Sequence, residues 1–121
     1  MIRKPVVAGQ FYPDDAKELK SQLNDLIEKD CEKGDVLGVV SPHAGYIYSG
    51  RVAGSLFSRI NVPETVVILT PNHTGLGAPY SIWPDGYWET PLGKVKVDED
   101  LVNELAASCR LLTMDYDAHI S

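Results

Sequence analysis

Two apolar runs, each as long as a buried strand and each closed by a proline and a histidine, constrain this chain more than any other feature. Val36-Leu37-Gly38-Val39-Val40-Ser41 leads into Pro42-His43, and Thr65-Val66-Val67-Ile68-Leu69-Thr70 leads into Pro71-Asn72-His73. Runs that are apolar at every position suit parallel strands covered by helices on both faces. Proline cannot continue a ladder, so each strand is expected to end there and turn outward. The carboxyl edge of such a sheet is where ligands collect. Two of the chain's three histidines fall at these equivalent points.

The flanking segments fit the same architecture. Ala16 to Lys33 carries Leu19, Leu23, Leu26 and Ile27 at helical spacing, with Asp14 or Asp15 as N-cap and Gly34 as the stop. Ser49 is a candidate cap for a second helix whose buried face would be Val52, Ala53, Leu56, Phe57 and Ile60. Helix, strand, helix, strand makes a βαβ unit with a right-handed crossover. Gly75 to Gly86 is rich in Gly, Pro and aromatic residues and is expected to be irregular loop. Trp88 to Thr90 and Lys94 to Val97 flank Pro91-Leu92-Gly93 as a hairpin. Asp98 then caps a third helix with Leu101, Val102, Leu105 and Ala106, and Leu111 to Met114 opens a further strand.

A chain of 121 residues is one domain at most, and its length alone allows burial of about two-thirds of the unfolded surface. The net charge of −6, with no cluster of Lys or Arg, excludes a nucleic-acid footprint. No run approaches the roughly 20 apolar residues that span a bilayer, and no secretory signal opens the sequence, so no membrane partner and a cytoplasmic location are expected. Cys31 and Cys109 are isolated, each within a helical pattern, and read as packed thiols in a reducing compartment.

His43 and His73 admit two readings at this point. Each is a loop histidine bonded to backbone, or the two imidazoles converge as a metal or proton-transfer site. Spacing alone weighs the two evenly. Tyr46, Tyr48, Ser49 and Asn72 are candidates to orient the rings. Phe11, Tyr12 and Trp88 are candidate pocket walls. Glycines ahead of a helix also suit an anion, yet neither phosphate-loop nor dinucleotide fingerprint is present.

The stretches Val7-Ala8-Gly9-Gln10-Phe11-Tyr12-Pro13, Ser41-Pro42-His43-Ala44-Gly45-Tyr46-Ile47-Tyr48-Ser49-Gly50 and Thr70-Pro71-Asn72-His73-Thr74-Gly75 resemble the Memo family, AmmeMemoRadiSam system protein B. Trp88-Glu89-Thr90-Pro91-Leu92-Gly93, Val97-Asp98 and Asp117-Ala118-His119 continue the likeness in order. The resemblance implies an α/β fold, mainly a parallel sheet flanked by helices, like the class III extradiol dioxygenases. It implies His43 and His73 as ligands of iron or copper, with Phe11 and Tyr48 lining the same pocket, and metal-dependent oxidoreductase chemistry. The alternative is a non-catalytic pocket module for a phosphopeptide or other anionic ligand. His119 is the candidate acid/base. A radical-SAM protein is a partner by family association.

Members of that family are more than twice this long, and their second half brings a cysteine ligand and the rest of the sheet. Residues 1–121 are therefore expected to be a single domain, the N-terminal fragment of a Memo-like one, with a half-built site. A homo-oligomer or the missing C-terminal half is expected to cover the unpaired sheet edge.

Overall fold

The computed structural model describes residues 1–120. They form a small α/β arrangement of three α-helices and five short strands, divided into two compact units. One unit is Val7–Val66 and the other is Met1–Val6 with Val67–Ser121.

In the first unit, α1 spans Ala16–Leu26 and α2 spans Tyr46–Phe57. Asp15 caps α1, its carboxylate accepting from the amides of Lys17 at 3.0 Å and Glu18 at 2.9 Å. The helix stops at Ile27, well short of Lys33. The Glu28 amide donates to Ser58 Oγ at 2.8 Å, and Asp30 takes a left-handed φ of 61°. Neither arrangement lets an α-helix continue.

The start of α2 also differs from expectation. Gly45 is its N-cap, with no side chain capping it. Ser49 lies inside the helix, buried, and its hydroxyl donates back to the Ala44 carbonyl at 2.6 Å. Beginning four residues earlier alters which face is buried. Ser49, Gly50 and Gly54 are buried, whereas Val52 and Phe57 are exposed. The small residues admit α1: a Cβ on Gly54 would overlap the Leu26 carbonyl oxygen, and one on Gly50 would sit 2.8 Å from Leu26 Cδ1. Ile60, past the helix, is buried where the chain bridges in parallel to Gly34.

In the second unit, β1 (Ile2–Arg3) pairs in parallel with β3 (Tyr87–Thr90), and β3 pairs antiparallel with β4 (Gly93–Lys96). The hairpin is therefore the one the sequence predicts, with Pro91-Leu92 at its tip. Gly86 has φ 73°, and a Cβ there would collide with the Met1 carbonyl. A second sheet joins β2 (Ser81–Ile82) in parallel to β5 (Thr113–Met114). The stretch expected to be loop thus contains a strand, and the expected final strand is β5. Helix α3 (Glu99–Ser108) is capped by Asp98, whose carboxylate accepts from the Leu101 amide at 3.0 Å. Trp83, 3% exposed, centres the core, with Tyr116 edge-on at 4.8 Å.

The two apolar runs do not form the expected strands. Among the described residues neither 36–41 nor 65–70 belongs to a sheet, and Leu37, Val40 and Leu69 are almost fully exposed. A strand is stable only where a neighbour accepts its backbone groups and covers its side chains, and the two observed sheets are built from other segments. The expected βαβ unit and dominant parallel sheet are accordingly absent among these residues. The cysteines also sit elsewhere than expected: Cys31 beyond the end of α1 and Cys109 at the C-cap of α3, both half-exposed thiols. No helix is long and apolar enough to cross a membrane among the described residues.

Candidate functional site

A cavity of about 330 Å³ opens in the unit Val7–Val66. Its wall is apolar because α1 and its exit contribute Leu23, Leu26 and Ile27, while α2 contributes Ala53 and Phe57. Phe11, His43 and Tyr46 also line it. Backbone bonds position these residues. The Val7–Tyr12 segment closes on itself through Gly9 N donating to Tyr12 O at 2.7 Å and Phe11 N to Val7 O at 2.9 Å. The Tyr46 amide then donates to Phe11 O at 2.8 Å, tying that turn to the first residue of α2. The rings of Tyr12 and Tyr46 lie 5.5 Å apart, tilted by 40°. Burial pushes the Tyr46 phenol above its ordinary value of 10.0, so it stays a neutral donor at physiological pH.

The structure therefore brings five of the sequence-predicted residues together around the cavity: Phe11, Tyr12, His43, Tyr46 and Ser49. Tyr48 is not among the cavity's lining residues; its ring is 84% exposed on the outer side of α2. Tyr12, noted in the sequence as a candidate wall, does line the cavity.

His73 belongs to the other unit, on an exposed loop organised by its neighbour. Asn72 Oδ1 accepts from the amides of Thr74 at 3.1 Å and Gly75 at 3.0 Å, and Asn72 Nδ2 donates to Leu76 O at 2.7 Å. Asn72 thus holds the backbone around His73 in an Asx-type turn. Trp88, another candidate wall, instead receives the Arg3 guanidinium over its ring at 4.5 Å.

His119 sits in a single 3₁₀ turn, Asp117–His119. Its Nε2 is 2.8 Å from Ser81 Oγ, and its ring meets Trp83 edge-on at 5.8 Å. Ser81 Oγ donates to the Asp115 carbonyl at 3.1 Å, which makes Nε2 the donor to Oγ and leaves Nδ1 as the proton acceptor. Burial, and secondarily the Arg3 charge, lower the His119 pKa below 6.5, against an opposing pull from Asp115. The Asp115 carboxylate accepts from the amides of Ala78 at 2.8 Å, Asp117 at 3.0 Å and Ala118 at 3.3 Å, and these bonds hold its pKa below 3.8. The sequence offers His119 with Asp115 and Asp117 beside it; Ser81 and Trp83 escape that reading because they lie more than thirty residues away in the chain.

Among the described residues no three His, Cys, Asp or Glu side chains come together as a metal-holding group.

The chain matches the sequence model of the Memo-like protein family over residues 3–121. A MEMO1 family protein of Thermotoga neapolitana is 47% identical, the match covering 99% of this chain and 49% of the relative. One from Pyrococcus furiosus is 48% identical over 98% of this chain and 42% of the relative. One from Saccharolobus islandicus is 43% identical over 99% and 48%. The chain spans about half the length of the curated relatives it matches.

Proposed function

Because the chain belongs to the Memo-like protein family, we propose that it carries part of a metal-binding pocket in which His43 and His73 are imidazole ligands of iron or copper. The observation that carries this reading is that His43 lines an apolar cavity, between Pro42 and the first turn of α2. An imidazole there suits a borderline-soft metal ion. The Asn72 turn holds the loop that carries His73.

Two imidazoles are an incomplete ligand set, and the described residues supply no three-ligand group, so no reaction step is routed through the metal. The remaining ligands are assigned to sequence corresponding to the unmatched half of the relatives. When bound, iron or copper supplies one-electron chemistry. Phe11 and Tyr46 exclude water from one side of the pocket, with the Tyr46 hydroxyl as a neutral donor. His119, neutral near pH 7 with Nδ1 unprotonated, is the candidate proton acceptor.

Equilibration with ferrous or cupric ion followed by elemental analysis tests this reading. Loss of a residue that merely orients a ligand weakens metal binding by about 10–100-fold, so His43→Ala and His73→Ala are each expected to cost at least about tenfold. Unchanged metal content in the double variant would overturn the assignment.

A second reading rests on the cavity itself, which is at the small end of ligand pockets and is lined in part by aromatic residues. It would receive one aromatic side chain of a peptide. The net charge of −6 opposes long-range steering of a phosphorylated one. Calorimetry with a phosphotyrosine peptide separates the two: binding that persists in chelator favours the peptide pocket.

A further inference from the structure

We propose that Asp115 is a positioning residue that locks the His73 loop to the His119 turn, so that the two histidines are held as one body. Its carboxylate is spent on both segments. Oδ2 accepts from the Ala78 amide at 2.8 Å and the Ala118 amide at 3.3 Å, while Oδ1 accepts from the Asp117 amide at 3.0 Å. Ala78 closes the loop that carries His73, and Asp117 and Ala118 belong to the turn that carries His119. One ionised side chain thus bridges two backbones that are remote in sequence. Bonds from amides to a charged acceptor are the stronger kind.

The loop is shaped to be gripped there. Gly77 has φ 70°, and a Cβ on it would overlap Asp115 Oδ2 and lie 2.5 Å from the Ala118 nitrogen. Glycine alone combines that left-handed backbone with so close an approach. Ahead of His73, Asn72 Nδ2 donates to Leu76 O at 2.7 Å, and Asn72 Oδ1 takes up the Thr74 and Gly75 amides. His73 therefore sits in a closed turn whose exit, Gly77-Ala78, is anchored to the neighbouring segment.

The main chain of Asp115 reaches His119 by a second route. Its amide donates to Ile82 O at 3.2 Å, extending the β2–β5 pairing. Its carbonyl accepts from Ser81 Oγ at 3.1 Å, and that oxygen lies 2.8 Å from His119 Nε2. With the Ser81 proton so directed, Nε2 carries the imidazole hydrogen. Displacing Asp115 would free the loop, the turn and the tautomer together. The use of this clamp rests on the reading of His73 as a metal ligand and His119 as a proton acceptor; its geometry does not.

Nitrogen-15 NMR of the whole chain in chelator tests the clamp. In Asp115→Ala the Ala78 and Ala118 amides should exchange at least about tenfold faster, the worth of one hydrogen bond to a charged group. The His119 imidazole should pass from the Nε2–H form to a mixture of tautomers. Ser81→Ala should shift the tautomer in the same way and leave the Ala78 amide protected. Should Asp115→Ala lose its native Trp83 fluorescence, Gly77→Ala strains the same contact from the loop side and should speed the same two amides. Unchanged exchange in a folded variant, an unchanged tautomer in Asp115→Ala, or a parent His119 in the Nδ1–H form would overturn the proposal. With ferrous or cupric ion, Asp115→Ala should bind about tenfold more weakly, as when a ligand-orienting residue is lost. Equal affinity alongside faster exchange would refute the positioning role. A clamp that behaves as expected in a chain that takes up no metal would instead count against the metal reading alone.

Discussion

Gly54 shows how one missing atom sets a contact. Its α-carbon faces the end of α1 so closely that a methyl group would overlap the Leu26 carbonyl and come within 2.9 Å of its carbon. Backbone cannot rotate aside as a side chain can. Gly54→Ala should therefore destabilise the α1–α2 contact by about 1–3 kcal/mol, the usual range for overpacking, despite alanine's better helix propensity. Urea titration followed by helical circular dichroism reads this directly. Ser58 is the other such residue, buried, with Oγ donating to Gly54 O at 2.6 Å while accepting from the Glu28 amide. The sequence shows a serine after a helix; that it stops another helix thirty residues earlier is a long-range fact.

Among site residues, legibility followed the same line. Phe11, His43 and Tyr46 are near in space because short turns flank them, and local composition reports such turns. Tyr48 depends on helix register. Because α2 starts at Tyr46, the positions three and four residues on, Ser49 and Gly50, share its face, and Tyr48 points elsewhere. An expected cap at Ser49 places that boundary four residues late and loses the distinction.

At the scale of elements, the capped helices were the most readable. Asp15 and Asp98 each act where the sequence puts them, because a carboxylate ahead of an apolar-periodic segment satisfies amides that have no other partner. Asp15→Ala removes the acceptor for the Lys17 and Glu18 amides, and Asp98→Ala that for the Leu101 amide. Each should cost about 1 kcal/mol, measured by thermal melts at neutral pH. The hairpin was equally readable from Pro91-Leu92-Gly93. The apolar runs were not, for a physical reason: periodicity reports what a segment would do with a partner, and among the described residues neither run belongs to a sheet. The two-residue strands β1 and β2 carry too little pattern to be seen, whereas β5 lies within the strand expected at Leu111 to Met114.

Across the molecule, most of the groups whose pKa is shifted lie in the unit that contains His119. A histidine whose pKa is lowered on folding contributes stability that is fully present above 6.5 and is lost as pH falls through its folded value. Asp115, Asp85 and Glu89 are held below their ordinary values, first by the Ala78 amide, the Tyr116 hydroxyl and Lys4 respectively. Their contribution is present at neutral pH and is lost at lower pH still. The urea midpoint followed by Trp83 fluorescence should therefore fall in two stages, beginning below pH 6.5 and again below about pH 4. His119→Gln, neutral throughout, should flatten only the first stage. A single acid transition in both proteins would contradict this ordering.

The pairing of Ile2 with Tyr87 and Arg3 with Trp88 places a whole helical unit between two strands of one sheet. On a ribosome, synthesis delivers β1 first and its partner only after the intervening residues have emerged. The Val7–Val66 segment can begin to fold in that interval, and doing so shortens the effective span that β1 must close. The earliest strand to be made is thus one of the last to be used, and translation speed through the middle of the chain sets how long its edge remains bare.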